Sequence, residues 1–112
     1  MSLLSTAAKK MTEYAVYITA TAAQALTDIR NYYIFEQHLP DIGLKMHSEL
    51  LSTIQSLSTF PERCPIVYQK DNSILVRRVL YKHFSIFYEI HQNRIYVTRL
   101  LHSAQNLNFL LL

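Results

Sequence analysis

Apolar residues recur along this chain with two different periods, and the changes of period predict its elements. Tyr14-Ala15-Val16-Tyr17-Ile18-Thr19 is dense in strand formers and reads as a first strand. Ala22, Leu26, Ile29 and Tyr33 then recur at spacings of four, three and four, an apolar stripe on a helix over roughly 22–37. Thr21, with Gln24 three places on, matches a capping box at its start. Pro40 interrupts that helix and Asp41 is placed to cap the next, over roughly 42–59. Leu44, Leu50, Leu51, Ile54 and Leu57 mark its buried side. The short connection predicts an antiparallel helical hairpin. Phe60-Pro61 ends the second helix, because proline cannot continue the hydrogen-bond ladder and disfavours a helical residue before it.

Residues 61–73, PERCPIVYQKDNS, read as a long loop. Strand-like segments follow at Ile74–Leu80, His83–Ile90 and Arg94–Leu101. Gln92-Asn93 forms the last turn, with Asn suited to a positive φ. Residues 1–12 lack periodicity and read as a flexible arm on a single domain spanning 1–112. The order is β-α-α-β-β-β, an α+β fold with an N-terminal strand and a two-helix hairpin packed on a largely antiparallel sheet. Strand alternation puts Phe84, Ile86, Tyr88 and Ile90 toward the helices, and His83, Ser85, Phe87, Glu89 and His91 on an open face.

Composition narrows the class. With 112 residues, half of them hydrophobic, eight Tyr, five Phe and one Gly, the chain suits one compact core. No run has the length of a membrane span, and MSLLSTAAKKMTEY lacks the apolar centre of a signal peptide. The lone Cys64 allows no internal disulfide and fits a reducing, cytoplasmic setting. A formal charge of +3, with Lys70, Arg77, Arg78, Lys82, Arg94 and Arg99 crowding the second half, suits an acidic or nucleic-acid partner.

Several chemistries lack their parts. His83 and Ser85 share a face, yet there is no G-x-S-x-G elbow, and Gly43 is the only glycine for a tight backbone nest. Scarcity of glycine also removes phosphate-loop and dinucleotide motifs, so no cofactor is expected. His38, His47, His83, His91 and His102 show no metal-ligand spacing, so no metal is expected either. What remains is a cationic and aromatic set: Arg77, Arg78, Lys82, His83, Tyr88, Arg99 and His102. Such residues can bind an anionic partner, assist metal-free attack of a 2′-hydroxyl on phosphate, or simply solvate a sheet face.

The strings AAQALTDIRNYY, LLSTIQSLSTFPERCP, VRRVLYKHFSIFYEI and IYVTRLLHSAQNL, in this order over roughly 14–107, resemble the RelE/ParE superfamily of bacterial type II toxins. RelE-like members, which are mRNA endonucleases on the ribosome, carry arginines where this chain has Ser85 and Gln105. Neither residue stabilises phosphate charge as arginine does. His83 and His102 are the nearby substitutes. The F-P-E-R loop and R-L-L-H ending are similar to ParE-like members, which bind and stall DNA gyrase and catalyse nothing. The resemblance thus implies a ParE-like, plasmid-stabilising toxin that is neutralised by a cognate antitoxin in a hetero-oligomer. Arg77 best matches the family's strand arginine, and no catalytic residue carries over. Arg77, Arg78, Lys82, His83, Arg99 and His102 are the candidates for target or antitoxin binding. The alternatives are a RelE-like nuclease and a non-toxic interaction module of the same fold. The apolar NFLLL end suits an amphipathic antitoxin segment or the chain's own core.

Overall fold

The structure is a computed structural model that describes residues 13–102. The arm expected at 1–12, Gln105 and the apolar end at 108–112 lie outside the described residues. Five strands and two helices follow one another as β1 (Ala15–Ile18), α1 (Ala20–Asn31), α2 (Pro40–Gln55), β2 (Ile66–Gln69), β3 (Leu75–Tyr81), β4 (Phe84–His91) and β5 (Arg94–His102). The sheet order is β1-β5-β4-β3-β2, with β1 parallel to β5 and the other pairings antiparallel. The expected α+β arrangement is present, with one strand more than the sequence pattern indicated. That strand, β2, lies inside the predicted 61–73 loop.

The helix boundaries differ from the sequence pattern for local reasons. Thr19, not Thr21, caps α1, because the helix starts directly after β1 and the Thr19 hydroxyl accepts from the Ala22 N–H at 3.3 Å. The predicted Thr21–Gln24 box is not formed, and Gln24 instead donates to Asp28 one turn on, at 2.8 Å. α1 gives way to a π-turn over Tyr32–Glu36. Pro40 opens α2 from its first turn, where its missing N–H costs nothing, so Asp41 sits inside the helix and not at its cap. A Cβ on Gly43 would lie 3.0 Å from the Arg30 carbonyl oxygen and 3.1 Å from Tyr33 and Ile34, so glycine lets the two helices approach closely.

The helices cover one sheet face. Ala22, Leu26, Leu50, Ile54 and Leu57 meet Phe84, Ile86, Tyr88, Ile95, Val97 and Leu100. Leu44 is a correction to the expected stripe. It lies one position off the row through Gly43, Leu50 and Ile54, and is 56% exposed. A bulge lets β5 keep its core face: Phe87 pairs with Arg99 but Tyr88 with Val97, so Thr98 is the extra residue and Leu100 still points inward. In the two hairpin turns the positive φ falls on Lys82 (49°) and Gln92 (58°), the first loop residue each time, and not on Asn93.

The open face expected on β4 is also corrected. Ser85, Phe87 and Glu89 are all buried. β4 is the central strand, so register sets Arg78 and Arg99 beside Phe87, and Val76 and Tyr96 beside Glu89. Exposure on a central strand depends on both flanking strands, which alternation along β4 alone does not reveal.

Substituting Ile54→Ala should lower the free energy of unfolding by about 2–5 kcal/mol. Leu44→Ala should change it by less than about 0.5 kcal/mol. Denaturant unfolding followed by circular dichroism measures both, and equal losses would contradict the placement of the helix faces.

Candidate functional site

The segment from Phe60 to Lys70 is held by its own Arg63, which reaches the end of α2, and by side chains that reach it from the sheet and from Tyr14 just before β1. Phe60 takes a left-handed φ of 48° before Pro61, a conformation that a bulky residue keeps only when its surroundings fix it. Arg63 supplies part of that fixing. One guanidinium nitrogen donates to the carbonyls of Thr59 at 2.6 Å, Phe60 at 3.1 Å and Ser56 at 3.4 Å, so a cation also meets the C-terminal end of α2. Its other terminal nitrogen donates to the Ser56 hydroxyl at 3.0 Å. Tyr14 donates to the Glu62 carboxylate at 3.0 Å from the start of β1.

Arg77 and Tyr88, side by side on β3 and β4, complete the hold. Arg77 donates to the carbonyl oxygens of Glu62 at 3.0 Å and Cys64 at 2.7 Å. The buried Tyr88 hydroxyl donates to the Pro61 carbonyl. Burial pushes the Tyr88 phenol well above its ordinary value, and the neighbouring Cys64 thiol adds to the shift, while Arg77 and Arg63 oppose it. The strand arginine that best matched a family position therefore orders a loop.

The six candidate residues do not form one constellation. Arg77 lies on the helix side of the sheet. Arg78 and Arg99 lie on the other side, flanking Phe87 across β4. Lys82 sits in the β3–β4 turn, 3.6 Å from the Glu49 carboxylate on α2 and 5.4 Å from the centre of the Tyr81 ring. His83, next to it, stacks on His102 with ring centres 6.1 Å apart, and His102 meets Phe84 edge-on at 5.5 Å. Lys82, His83 and His102 thus share one end of the sheet, away from Arg77. The Nε of Arg78 is buried with no acceptor. An unmatched buried donor costs about 1–3 kcal/mol, and more for a charged group.

Spacing alone did not reveal a second polar group. Glu89, buried on β4, accepts from Lys70 at 3.0 Å and pairs with His91 Nε2 at 2.8 Å. It lines a cleft of about 350 Å³ with Thr19, Thr21, Tyr68, Lys70, Thr98 and Arg99. Alternation puts Glu89 and His91 on one face, but Lys70 reaches Glu89 only because β2 exists. The available cue was IVYQ, four strand-compatible residues after Pro65. Among the described residues, no group of three or more His, Cys, Asp or Glu is arranged to hold a metal ion. No helix among them is long and apolar enough to cross a membrane.

Comparison with known proteins adds two likenesses. Residues 16–107 match the family described as the ParE toxin of the type II toxin–antitoxin system parDE. Among solved structures, a chain from the chromosomal ParDE TA system of P. aeruginosa is similar at a TM-score of 0.65 and 17% identity, covering 80% of this chain and 96% of that one. At that identity the likeness speaks for the fold alone. No curated protein matches the chain.

The hold on the Pro61 carbonyl is testable. Tyr88→Phe removes its donor and should destabilise the fold by about 1–3 kcal/mol. It should also flatten the alkaline arm of the stability profile. An unfolded tyrosine ionises near about 10, so above that pH the unfolded chain binds fewer protons than the folded one and stability falls as pH rises. Denaturation midpoints of both proteins from pH 8 to 11 check this. Equal alkaline slopes would show that Tyr88 is not held protonated by the fold.

Proposed function

The chain belongs to the ParE toxin family of type II toxin–antitoxin systems, and on that premise we propose that it is a toxin that binds and stalls DNA gyrase in the cytoplasm and is neutralised by a cognate antitoxin. The observation that carries the choice of binding over catalysis is the dispersal of the cationic set. Metal-free cleavage of RNA needs a base, an acid and a cation converging within hydrogen-bond reach of one phosphate. Here Arg77 is engaged with the Glu62 and Cys64 carbonyls on one face, and Arg78 and Arg99 stand on the other. Ser85, where a nuclease relative would carry arginine, is buried. A binder asks less of these residues: a fixed shape and a positive surface suffice.

A plasmid-stabilising role follows from the same reading, because an antitoxin must be made continuously to hold such a toxin silent. A second reading, RNA cleavage on the ribosome, draws on the stacked pair His83 and His102 alone.

Expression without antitoxin, followed by parallel assays of gyrase supercoiling and of ribosome-bound mRNA, tests the proposal. Supercoiling should be inhibited and the mRNA should stay intact. Normal supercoiling with cut mRNA would replace the proposal by the second reading, and two negative assays with normal growth would leave a non-toxic module. Arg77→Ala should weaken toxicity at least about tenfold more than His83→Ala, since it removes two charge-assisted hydrogen bonds of about 1.5–3 kcal/mol each from the 61–64 segment. Equal losses accompanied by lost RNA cleavage would point to an acid–base role for His83.

A further inference from the structure

The face of the sheet turned away from the helices carries a row of side chains that the proposed function does not use. Directly opposed residues on neighbouring strands share a face. The register links Tyr17 to Tyr96, Tyr96 to Glu89, Glu89 to Val76 and Val76 to Tyr68, so the row crosses all five strands. Four strand steps make it about 19 Å long. The sequence neighbours Val16, Tyr88, Ile95 and Val97 pack with the helices, and alternation turns the row to the other side.

Aromatic faces and cations are interleaved along this row. Tyr17 and Tyr96 stack, with ring centres 5.5 Å apart and planes 21° from parallel. Core packing would hide such a pair, yet Tyr17, on the edge strand β1, is 47% exposed. Arg94, two residues before Tyr96 on the same face, is exposed and belongs to none of the ion pairs among the described residues. At the far end, Tyr68 and Lys70 line the cleft of about 350 Å³ together with Arg99. The single carboxylate of the row, Glu89, is buried and already taken by Lys70 and His91. Lys70 still keeps 50% of its side chain in solvent.

We propose that this row binds single-stranded nucleic acid, with bases stacking on the exposed tyrosine pair and phosphates passing Arg94 and Lys70. An acidic peptide fits less well. An extended peptide draws its affinity from backbone pairing at a sheet edge, whereas the N–H and C=O groups beneath this row are spent on the neighbouring strands. Unstacked bases need no backbone partner, only ring faces and nearby charge. His83 and His102 lie at the other end of β4 and β5. The site is therefore separate from that pair, and the inference stands whether or not gyrase is the target.

Fluorescence anisotropy of the 112-residue chain with labelled oligothymidylate and oligouridylate, each of about twelve residues, tests this. Both should bind, and the tighter one identifies DNA or RNA as the source of the strand. Tyr17→Leu keeps apolar bulk but removes the ring, and should weaken binding roughly 5- to 100-fold. Tyr17→Phe, which keeps the ring, should bind as wild type does. Arg94→Gln, at an exposed position, should weaken binding and lower the slope of log affinity against log salt by roughly 0.7. It also keeps the test open should Tyr17→Leu fail to fold. No binding of either oligonucleotide by wild type at about 100 μM would overturn the proposal, as would wild-type affinity in both Tyr17→Leu and Arg94→Gln. A polyglutamate peptide of the same length that competes as well as the oligonucleotides would overturn it too, by showing that charge alone is read.

Discussion

The structure depends on the burial of β4 from both sides. Six successive residues, Phe84 to Glu89, are buried, and three of them, Ser85, Tyr88 and Glu89, end in polar groups; the two longest reach far for their partners. A buried hydroxyl or carboxylate without a hydrogen bond would cost more than a typical surface contact returns. Tyr88 therefore reaches Pro61, and Glu89 reaches Lys70. Those two contacts lie at the start of the 61–70 segment and just past the end of β2. With Arg77 fastened to Glu62 and Cys64 between them, the segment is drawn along the sheet, and β2 forms at its edge.

Reliance on distant partners separates the elements that are legible in the sequence from those that are not. Both helices, the three late strands and the first strand follow from period and punctuation, because their apolar rows are long enough to be unambiguous. β2 was hidden because IVYQ is short and sits between Pro65 and a polar turn in which Asp71 accepts from Ser73 and Ile74. Its existence depends on partners far along the chain, at Arg77, Tyr88 and Glu89, which no local window contains. Leu44 misled because it stands one position off the buried row of Gly43, Leu50 and Ile54, close enough to read as part of one apolar side. Alternation on β4 assigned residues to faces correctly but not to solvent, since exposure depends on which side chains flank a strand. The candidate residues were named as a set on grounds of type; only the sheet register separates Arg77 from Arg78 and places His83 against His102.

For a toxin proposed to act by binding, the assignment of charged residues to structural work is informative. Arg63 and Arg77, which look functional by type, hold a strained turn at Phe60 in one shape. A rigid surface needs no ordering on contact, so it loses less entropy when a partner arrives. The Pro61–Cys64 region thus has the character of a preorganised surface, while Lys82, His83 and His102 occupy a more exposed end.

The parallel pairing of β1 with β5 carries a further consequence. Ala15 lies beside Arg94 and Ile18 beside Val97, so the first strand binds almost the last part of the domain to be synthesised. Contacts so distant along the chain form late, because the intervening loop must close first. On the ribosome, Tyr17 and its neighbours have no strand to join until β5 has left the exit tunnel, and the helical hairpin meanwhile lacks Ile95 and Val97 from its floor. The protein cannot assume its finished shape one piece at a time. Its sheet is complete, and the surface built on it set, only once β5 has been made and has taken its place between β1 and β4.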